Sequence, residues 1–146
     1  MINNNIMFKC TSLDDTRKAA EYFASIASAG QCFALYGNLG YGKTTFAQYF
    51  IRSLNQKTEE VTSPTFSIMQ MYDLDEYSDI IHVDCYRMEK QEEFFELGLE
   101  ELFPHNIVII EWPEIIENLL PENTIKIEFS IDADGARTLS ERLKNR

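Results

Sequence analysis

The spacing of apolar residues along the chain predicts alternating helices and strands, as in an α/β protein. Between Leu13 and Ala29 the apolar positions recur every three or four residues, which predicts a helix. Ser12 stands at capping-box spacing from Asp15, and Gly30 is suited to the C-terminal cap. The predicted core face of this helix carries Ala19, Ala20, Phe23, Ile26 and Ala27.

Nearly uninterrupted apolar runs predict buried strands. The segments Cys32–Tyr36 and Asn106–Ile110 are typical of parallel strands that are covered on both faces. Ser67–Tyr72 and Ile80–Asp84 are also predicted to be extended, and the charged segment Asp73–Asp79 turns the chain between them. Together these segments predict a sheet with a buried parallel centre.

The remaining helical signals follow those strands. Thr45–Leu54 has an apolar face and comes shortly after the first buried strand. A short helix is predicted over about residues 90–97, and Pro113 is suited to the first position of a helical turn.

The last part of the chain changes to a period of two. Apolar and polar residues alternate through Ile125–Ile131, which predicts a half-exposed strand. Asp132–Gly135 has turn composition, and Arg137–Leu143 is predicted to return as a second strand. We therefore predict a single α/β domain, a three-layer sandwich whose mostly parallel sheet ends in an antiparallel C-terminal strand pair.

Length and charge narrow the classes of function. A chain of 146 residues is expected to form one domain, without an internal repeat. Its net charge is −11, because 24 acidic residues outnumber 13 lysines and arginines. Autonomous nucleic-acid binding is therefore not expected, since it normally needs a basic patch. The acidic stretches 73–79 and 89–101 are solvated faces or docking surfaces for basic partners.

We expect a cytoplasmic protein that is not bound to a membrane. No apolar run is long enough to span a bilayer, and the first residues lack the pattern of a signal peptide. Cys10, Cys32 and Cys85 are scattered and odd in number, so we expect reduced cysteines rather than a disulfide framework or metal ligands.

The sequence GNLGYGKT at Gly37–Thr44 matches the phosphate-binding pattern G-x-x-x-x-G-K-[ST]. It lies between a predicted strand and a predicted helix, as this motif requires, and it predicts the P-loop NTPase version of the fold. Lys43 is expected to reach the terminal phosphates, and the Thr44 hydroxyl to ligate Mg²⁺. The residues expected to hold the nucleotide are Gly37, Asn38, Leu39, Gly40, Tyr41, Gly42, Lys43, Thr44 and Thr45.

Two acidic residues end predicted strands beside this loop. Asp84 and Glu111 are expected to face one crevice, because ligands in such sheets bind beyond the carboxyl ends of the strands. Nucleotide hydrolysis needs a carboxylate for Mg²⁺ or its water and a group that orients the attacking water. Which residue has which role stays open, although Glu111 follows the more apolar strand and is favoured for the metal, with Asp84 sharing.

Several nearby residues have two interpretations. The loop containing Ser63 and Thr65 is either a switch that senses the terminal phosphate or an ordinary connection before a strand. Trp112, the only tryptophan, is either a packed aromatic or a lid beside the catalytic acid. His82 is expected next to the core, and Arg87 is a source of positive charge for the site or a partner.

These motifs together resemble the bacterial TsaE family, the ATPase component of the tRNA threonylcarbamoyladenosine machinery. The resemblance covers almost the whole chain and depends on motifs beyond the phosphate loop. They are the loop residues 37–45, Thr62-Ser-Pro-Thr-Phe66, His82-x-Asp84-x-Tyr86-Arg87, Glu96-Leu-Gly98 and Glu111-Trp-Pro113.

The resemblance implies slow, Mg²⁺-dependent ATP hydrolysis that resets a complex of TsaD and TsaB. It also implies that the chain acts on tRNA only indirectly, through that complex. It carries the Mg²⁺ ligands to Thr44 and Glu111, the second acid to Asp84 and the switch to residues 63–65. Adenine contacts are expected from Thr11, Ser12 and Arg137. Tyr41 and Asn38 depart from the Ala and Asp usual in the family, so nucleotide affinity does not carry over.

Two other functions are compatible with a phosphate loop. A small-molecule kinase of this fold needs a cation-rich lid, but the arginines after Arg52 do not cluster in the sequence. A docking module that binds ATP without hydrolysing it is disfavoured by the presence of Asp84 and Glu111.

Overall fold

The computed structural model describes residues 6–38, 40–56 and 68–142. The strands are β1 (Met7–Cys10), β2 (Cys32–Tyr36), β3 (Met69–Asp73), β4 (Asp79–Asp84), β5 (Ile107–Glu111), β6 (Ile125–Ile131) and β7 (Arg137–Arg142). The helices are α1 (Leu13–Ser25), α2 (Lys43–Leu54), α3 (Glu92–Glu96), α4 (Leu99–Leu102) and a 3₁₀ helix at Pro113–Leu119.

All seven strands form one sheet in the order β1-β7-β6-β2-β5-β4-β3. The four central strands β6, β2, β5 and β4 are parallel, which confirms the predicted parallel centre. β6 and β7 form the predicted antiparallel pair. Both edges add an antiparallel strand, β1 against β7 and β3 against β4. Because these strands are parallel, the C-terminal ends of β2, β4 and β5 lie side by side at one end of the sheet, where the site lies.

Helices cover both faces of the sheet and produce the predicted three layers. On one face, α1 and α2 bury aromatic side chains, and the rings of Phe33 and Phe50 lie 4.9 Å apart in an edge-on contact. On the other face, α3, α4 and the 3₁₀ helix cover Val108 and Ile110 of β5. β5 is therefore buried on both faces, as its apolar sequence predicts.

The first helix begins as predicted but ends earlier. The Asp15 amide donates to the Ser12 hydroxyl oxygen at 3.2 Å, which forms the predicted N-cap. The helix ends at Ser25, so the prediction of a helix to residue 29 with Ile26 in the core is wrong: Ile26 is 45% exposed. Gly30 does not cap the helix. Its amide donates to the Asn106 carbonyl at 2.9 Å, because the chain must turn back here to enter β2.

The helix predicted over about residues 90–97 is present as α3, Glu92–Glu96, and is shorter at both ends. Gly98 adopts φ 74°, a left-handed conformation that favours glycine, and it separates α3 from α4.

Cys10, Cys32 and Cys85 are buried free thiols, and burial raises the pKa of Cys32 and Cys85 to about 12. Within the described ranges, no helix combines the length and apolarity needed to cross a membrane.

Candidate functional site

The loop between β2 and α2 has the backbone conformation that a phosphate cradle needs. Gly40 and Gly42 have φ of 81° and 94°, in the left-handed region where glycine is favoured. Gly42 is the N-cap of α2, and no side chain caps the helix there. The first amides of α2 can therefore point to an anion, and the helix dipole favours the negative charge.

Gly37 opens the loop at a point of close approach between β2 and β6. Its φ is 141°, and a Cβ atom at this position would lie 2.6 Å from the Phe129 carbonyl oxygen. That separation is too short for any side chain without a backbone shift. The first glycine of the motif is thus required by the packing of the loop on β6.

We expect Gly37→Ala to lower the free energy of unfolding by about 1–3 kcal/mol from backbone strain, and further through the overlap with Phe129. Gly40→Ala is the matched control, because φ is also positive there but nothing lies within 4 Å of the added Cβ. Chemical denaturation compares the two. Equal losses in both variants would show that the approach to Phe129 does not matter.

Lys43 is a buried cation at the start of α2. It is 5% exposed, its Nζ lies 3.2 Å from the centroid of the Trp112 ring, and it donates to the Gly37 carbonyl. Burial lowers the pKa of this ammonium, while the charges of nearby carboxylates oppose the shift. Those carboxylates are Glu114, Glu111 and Asp84. In the described part of the chain, the Lys43 ammonium is hydrogen-bonded to a neutral carbonyl oxygen and not to a carboxylate. A negatively charged phosphate would therefore interact with it more strongly than its present partner does.

Glu111 ends β5 directly beside the loop. It is 1% exposed, and its Oε1 accepts a hydrogen bond from the Thr44 hydroxyl at 2.7 Å. Its Oε2 lies 2.7 Å from Nε2 of His82, which is fully buried. A hydroxyl and a carboxylate are hard oxygen donors of the kind that Mg²⁺ prefers beside phosphate oxygens. The donor set formed by Thr44 and Glu111 therefore fits the metal that the family resemblance implies.

Asp84 lies on the neighbouring strand, opposite Glu111 in the parallel register of β4 and β5. Its Oδ1 accepts a hydrogen bond from the Tyr86 amide at 2.9 Å. Burial raises the pKa of Asp84, and the charge of Glu111 adds to that shift. The structure thus brings the two predicted carboxylates together. Among the hydrogen bonds of the described residues, Thr44 is bonded to Glu111 and not to Asp84.

Two adjoining cavities meet at Arg137. The first has a volume of about 300 Å³ and lies over the loop; its lining is Gly40, Gly42, Lys43, Thr44, Thr45, Glu111, Trp112 and Arg137. The second, of about 380 Å³, contains all three residues that we expected around adenine; they are Thr11, Ser12 and Arg137. An Arg137 guanidinium nitrogen donates to the Gly40 carbonyl at 3.4 Å. One elongated ligand can therefore extend from the loop toward the start of α1.

A larger cavity of about 1050 Å³ lies between the end of α2 and the β3–β4 turn. Its lining includes Asp73, Asp75 and Glu76, whose charge disfavours an anionic ligand. We therefore place the candidate site at the two smaller cavities, where the glycine loop and Lys43 lie.

Trp112 both packs and lines the site. It has φ 55°, the only positive φ at a non-glycine residue in the described ranges, and it precedes Pro113. One side of its indole meets the Tyr86 ring, at 4.9 Å between centroids, and Lys43 Nζ lies over the indole. The two interpretations of Trp112 are therefore compatible: the ring is held by neighbours and faces the loop.

We expect ATP to change the emission of Trp112 in a saturable way, because phosphates should draw Lys43 Nζ away from the indole face. The chain has one tryptophan, so the signal has one source. Adenosine, which lacks phosphates, is the control and should leave emission nearly unchanged. A flat titration with ATP would favour a purely structural role for this ring.

The contact between His82 and Glu111 was not predicted from the sequence. The predicted position of His82 next to the core is correct, since the residue is fully buried. The available signal was the strand register, since His82 stands two residues before Asp84, which lies opposite Glu111. Leu39 of the loop and the predicted switch residues Ser63 and Thr65 lie outside the described residues.

The chain is similar to known proteins over most of its length. The sequence profile of the family described as "Threonylcarbamoyl adenosine biosynthesis protein TsaE" matches residues 10–139. A protein from Rickettsia bellii described as "tRNA threonylcarbamoyladenosine biosynthesis protein TsaE" is 35% identical over 137 residues, which cover 94% of this chain and 93% of the relative. A Bacillus subtilis protein of the same description is 34% identical over 136 residues, covering 92% and 84%.

A solved structure also matches this fold. The crystal structure of Bacillus subtilis YdiB superposes with a TM-score of 0.76 and is 27% identical in sequence. The match covers 97% of this chain and 86% of that chain. The similarity therefore includes both antiparallel edges of the sheet as well as its parallel centre.

Proposed function

Because this chain belongs to the TsaE family, which acts in tRNA threonylcarbamoyladenosine biosynthesis, we propose that it binds and hydrolyses ATP for that modification. The observation that carries the proposal is the contact between Thr44 of the phosphate loop and the buried Glu111, at 2.7 Å. Burial of a carboxylate is strongly unfavourable unless its oxygens are hydrogen-bonded or bound to a cation. Its position beside the loop suits a divalent metal that accompanies phosphates.

ATP binding is assigned to the two adjoining cavities. The triphosphate would lie over Gly40, Gly42 and the first amides of α2, with Lys43 at its terminal phosphates. Adenine would occupy the second cavity, where the apolar side chains of Leu13 and Ile131 contribute to the lining. Arg137, which lines both cavities, would hold the connecting part of the ligand.

Hydrolysis needs positioning and charge stabilisation more than covalent chemistry by the protein. A bound Mg²⁺ would neutralise charge on the phosphate oxygens, and Thr44 and Glu111 are the residues that would hold it. Asp84 would orient the attacking water, because it lies opposite Glu111 and because burial, which raises its pKa, makes it a stronger base than an exposed aspartate. Trp112 would lie beside the terminal phosphates, because its ring is in contact with Lys43 Nζ.

The partner is proposed to be the TsaD–TsaB complex, as the family resemblance implies. Charge supports docking on a protein rather than direct contact with tRNA, since the net charge is −11. Solitary turnover should be weak, because sites of this kind often receive a cation from a partner.

Two assays together test this function. One measures binding to purified TsaD and TsaB with and without ATP, and the other measures phosphate release from ATP. We expect Mg²⁺-dependent ATP hydrolysis that is slow alone and faster with the complex, and retention that changes with nucleotide. An absence of ATP binding would contradict the proposal. Efficient phosphate transfer to a nucleoside, sugar or small acid would point instead to a kinase.

A further inference from the structure

His82 lies in the core of the sheet but uses only one of its ring nitrogens. The residue is 0% exposed, and its Nε2 lies 2.7 Å from Oε2 of Glu111. Its Nδ1 is buried and has no hydrogen-bond partner among the described residues. A buried polar atom without a hydrogen-bond partner destabilises the folded state, and an apolar residue at this position would avoid that destabilisation. The bond to Glu111 therefore calls for a functional explanation.

The two oxygens of Glu111 are divided between two elements. Oε1 accepts from Thr44 at the start of α2, and Oε2 faces His82 on β4. A carboxylate accepts but does not donate, so the proton of the second hydrogen bond resides on Nε2 of His82. With both oxygens engaged, the carboxylate plane is fixed relative to the loop.

Within the described ranges, the hydrogen bond of His82 Nε2 is to Glu111 and to no other residue. Its cross-strand neighbours are Ile109 on β5 and Gln70 on β3. The side-chain oxygen of Gln70 accepts from the Tyr72 hydroxyl at 2.7 Å. Ile80 and Asp84 lie on the same face of β4 as His82. Ile80 is buried, and Oδ1 of Asp84 accepts a hydrogen bond from the Tyr86 amide, although its carboxyl is close enough for the charge of His82 to lower its pKa. Burial of both His82 and Glu111 strengthens the hydrogen bond between them, because little water competes for it.

We propose that His82 is a positioning residue that orients Glu111, so that Oε1 faces Thr44 and the metal of the bound nucleotide. This inference rests on the proposed ATP function and adds a residue to it. Carboxylates that ligate metals are themselves commonly hydrogen-bonded, and loss of such an outer partner typically costs about 10- to 100-fold in metal affinity or activity.

Three substitutions separate positioning from packing. In His82→Gln the side-chain amide reaches about as far as Nε2 and can still donate to Glu111. In His82→Asn the amide is shorter and reaches only the level of Nδ1. His82→Leu keeps an apolar side chain of similar size and removes the donor. A packing role would be served best by leucine, whereas positioning is served best by glutamine.

Calorimetry should measure the affinity of a non-hydrolysable ATP analogue with Mg²⁺ and with EDTA for each variant. The ratio of the two affinities reports the coupling between metal and nucleotide. We expect this ratio to fall about 10- to 100-fold in His82→Leu and His82→Asn, and by no more than about threefold in His82→Gln. The affinity in EDTA should stay near that of the unaltered protein in all three.

An unchanged ratio in His82→Leu would overturn the proposal, and so would a loss in His82→Gln as large as in His82→Leu. If the unaltered protein bound no analogue, the proposed ATP function itself would fail, which is a distinct result. Nitrogen-15 NMR of the unaltered protein gives an independent reading that needs no variant to fold. A proton on Nε2 supports the inference, and a proton on Nδ1 alone overturns it.

Discussion

Lys43→Ala is expected to weaken ATP binding at least about 100-fold, which corresponds to about 3 kcal/mol. The ammonium is buried beside the phosphate loop. Among the described residues, its contacts are a hydrogen bond to the Gly37 carbonyl and the face of the Trp112 ring. Its pKa is lowered by burial, so removing the charge relieves a desolvation cost in the free protein. The variant should therefore fold normally, and its defect should lie in binding the terminal phosphates.

Calorimetry with an ATP analogue measures this loss, and a thermal melt confirms that the variant is folded. Lys18→Ala is the matched control, because Lys18 is an exposed lysine on α1 whose contact is an ion pair with Asp14. The control should bind ATP like the unaltered protein. Unchanged affinity in Lys43→Ala would remove the loop from the nucleotide site.

Glu111→Gln is expected to lower Mg²⁺-dependent ATP hydrolysis at least about 100-fold. Charge stabilisation through a bound metal contributes several kcal/mol to such reactions, and each 1.4 kcal/mol or so is a factor of ten in rate. The fold should persist, because the glutamine amide can keep contacts with both the Thr44 hydroxyl and His82. Nucleotide affinity in EDTA should change little, since Lys43 and the loop amides remain.

Phosphate release at saturating ATP, across a range of Mg²⁺ concentrations, gives the measurement. Glu122→Gln makes the same chemical change at an exposed position in the turn before β6 and should leave turnover intact. Turnover close to normal in Glu111→Gln would exclude this carboxylate from metal binding and favour Asp84 for that role.

Local patterns were sufficient to predict the parallel centre of the sheet and the position of the loop. Apolar runs identified β2 and β5, because strands covered on both faces have few polar residues. Alternation identified β6, which has one face less covered, and the turn composition after it identified β7 as a returning strand. The parallel register then places the ends of β4 and β5 together, which is why Asp84 and Glu111 could be paired from sequence.

Features that depend on distant contacts were not predictable in this way. β1 has only four residues and is defined by its pairing with β7, over 120 positions along the chain. Gly30 does not cap α1, and its amide instead binds the Asn106 carbonyl next to β5. The partner of His82 depends on a diagonal contact between neighbouring strands. In each case the deciding interaction joins residues far apart in sequence.

We propose that the loop between β2 and α2 binds the phosphates of Mg²⁺–ATP, opposite Glu111. A crystal structure with Mg²⁺ and a non-hydrolysable ATP analogue would show whether it does. We expect the phosphates in the cavity over Gly40 and Gly42, Lys43 Nζ moved from the Trp112 ring to the terminal phosphate, and the metal beside Thr44 and Glu111. Analogue bound elsewhere with this cavity empty, or a metal that contacts neither residue directly or through water, would contradict the account.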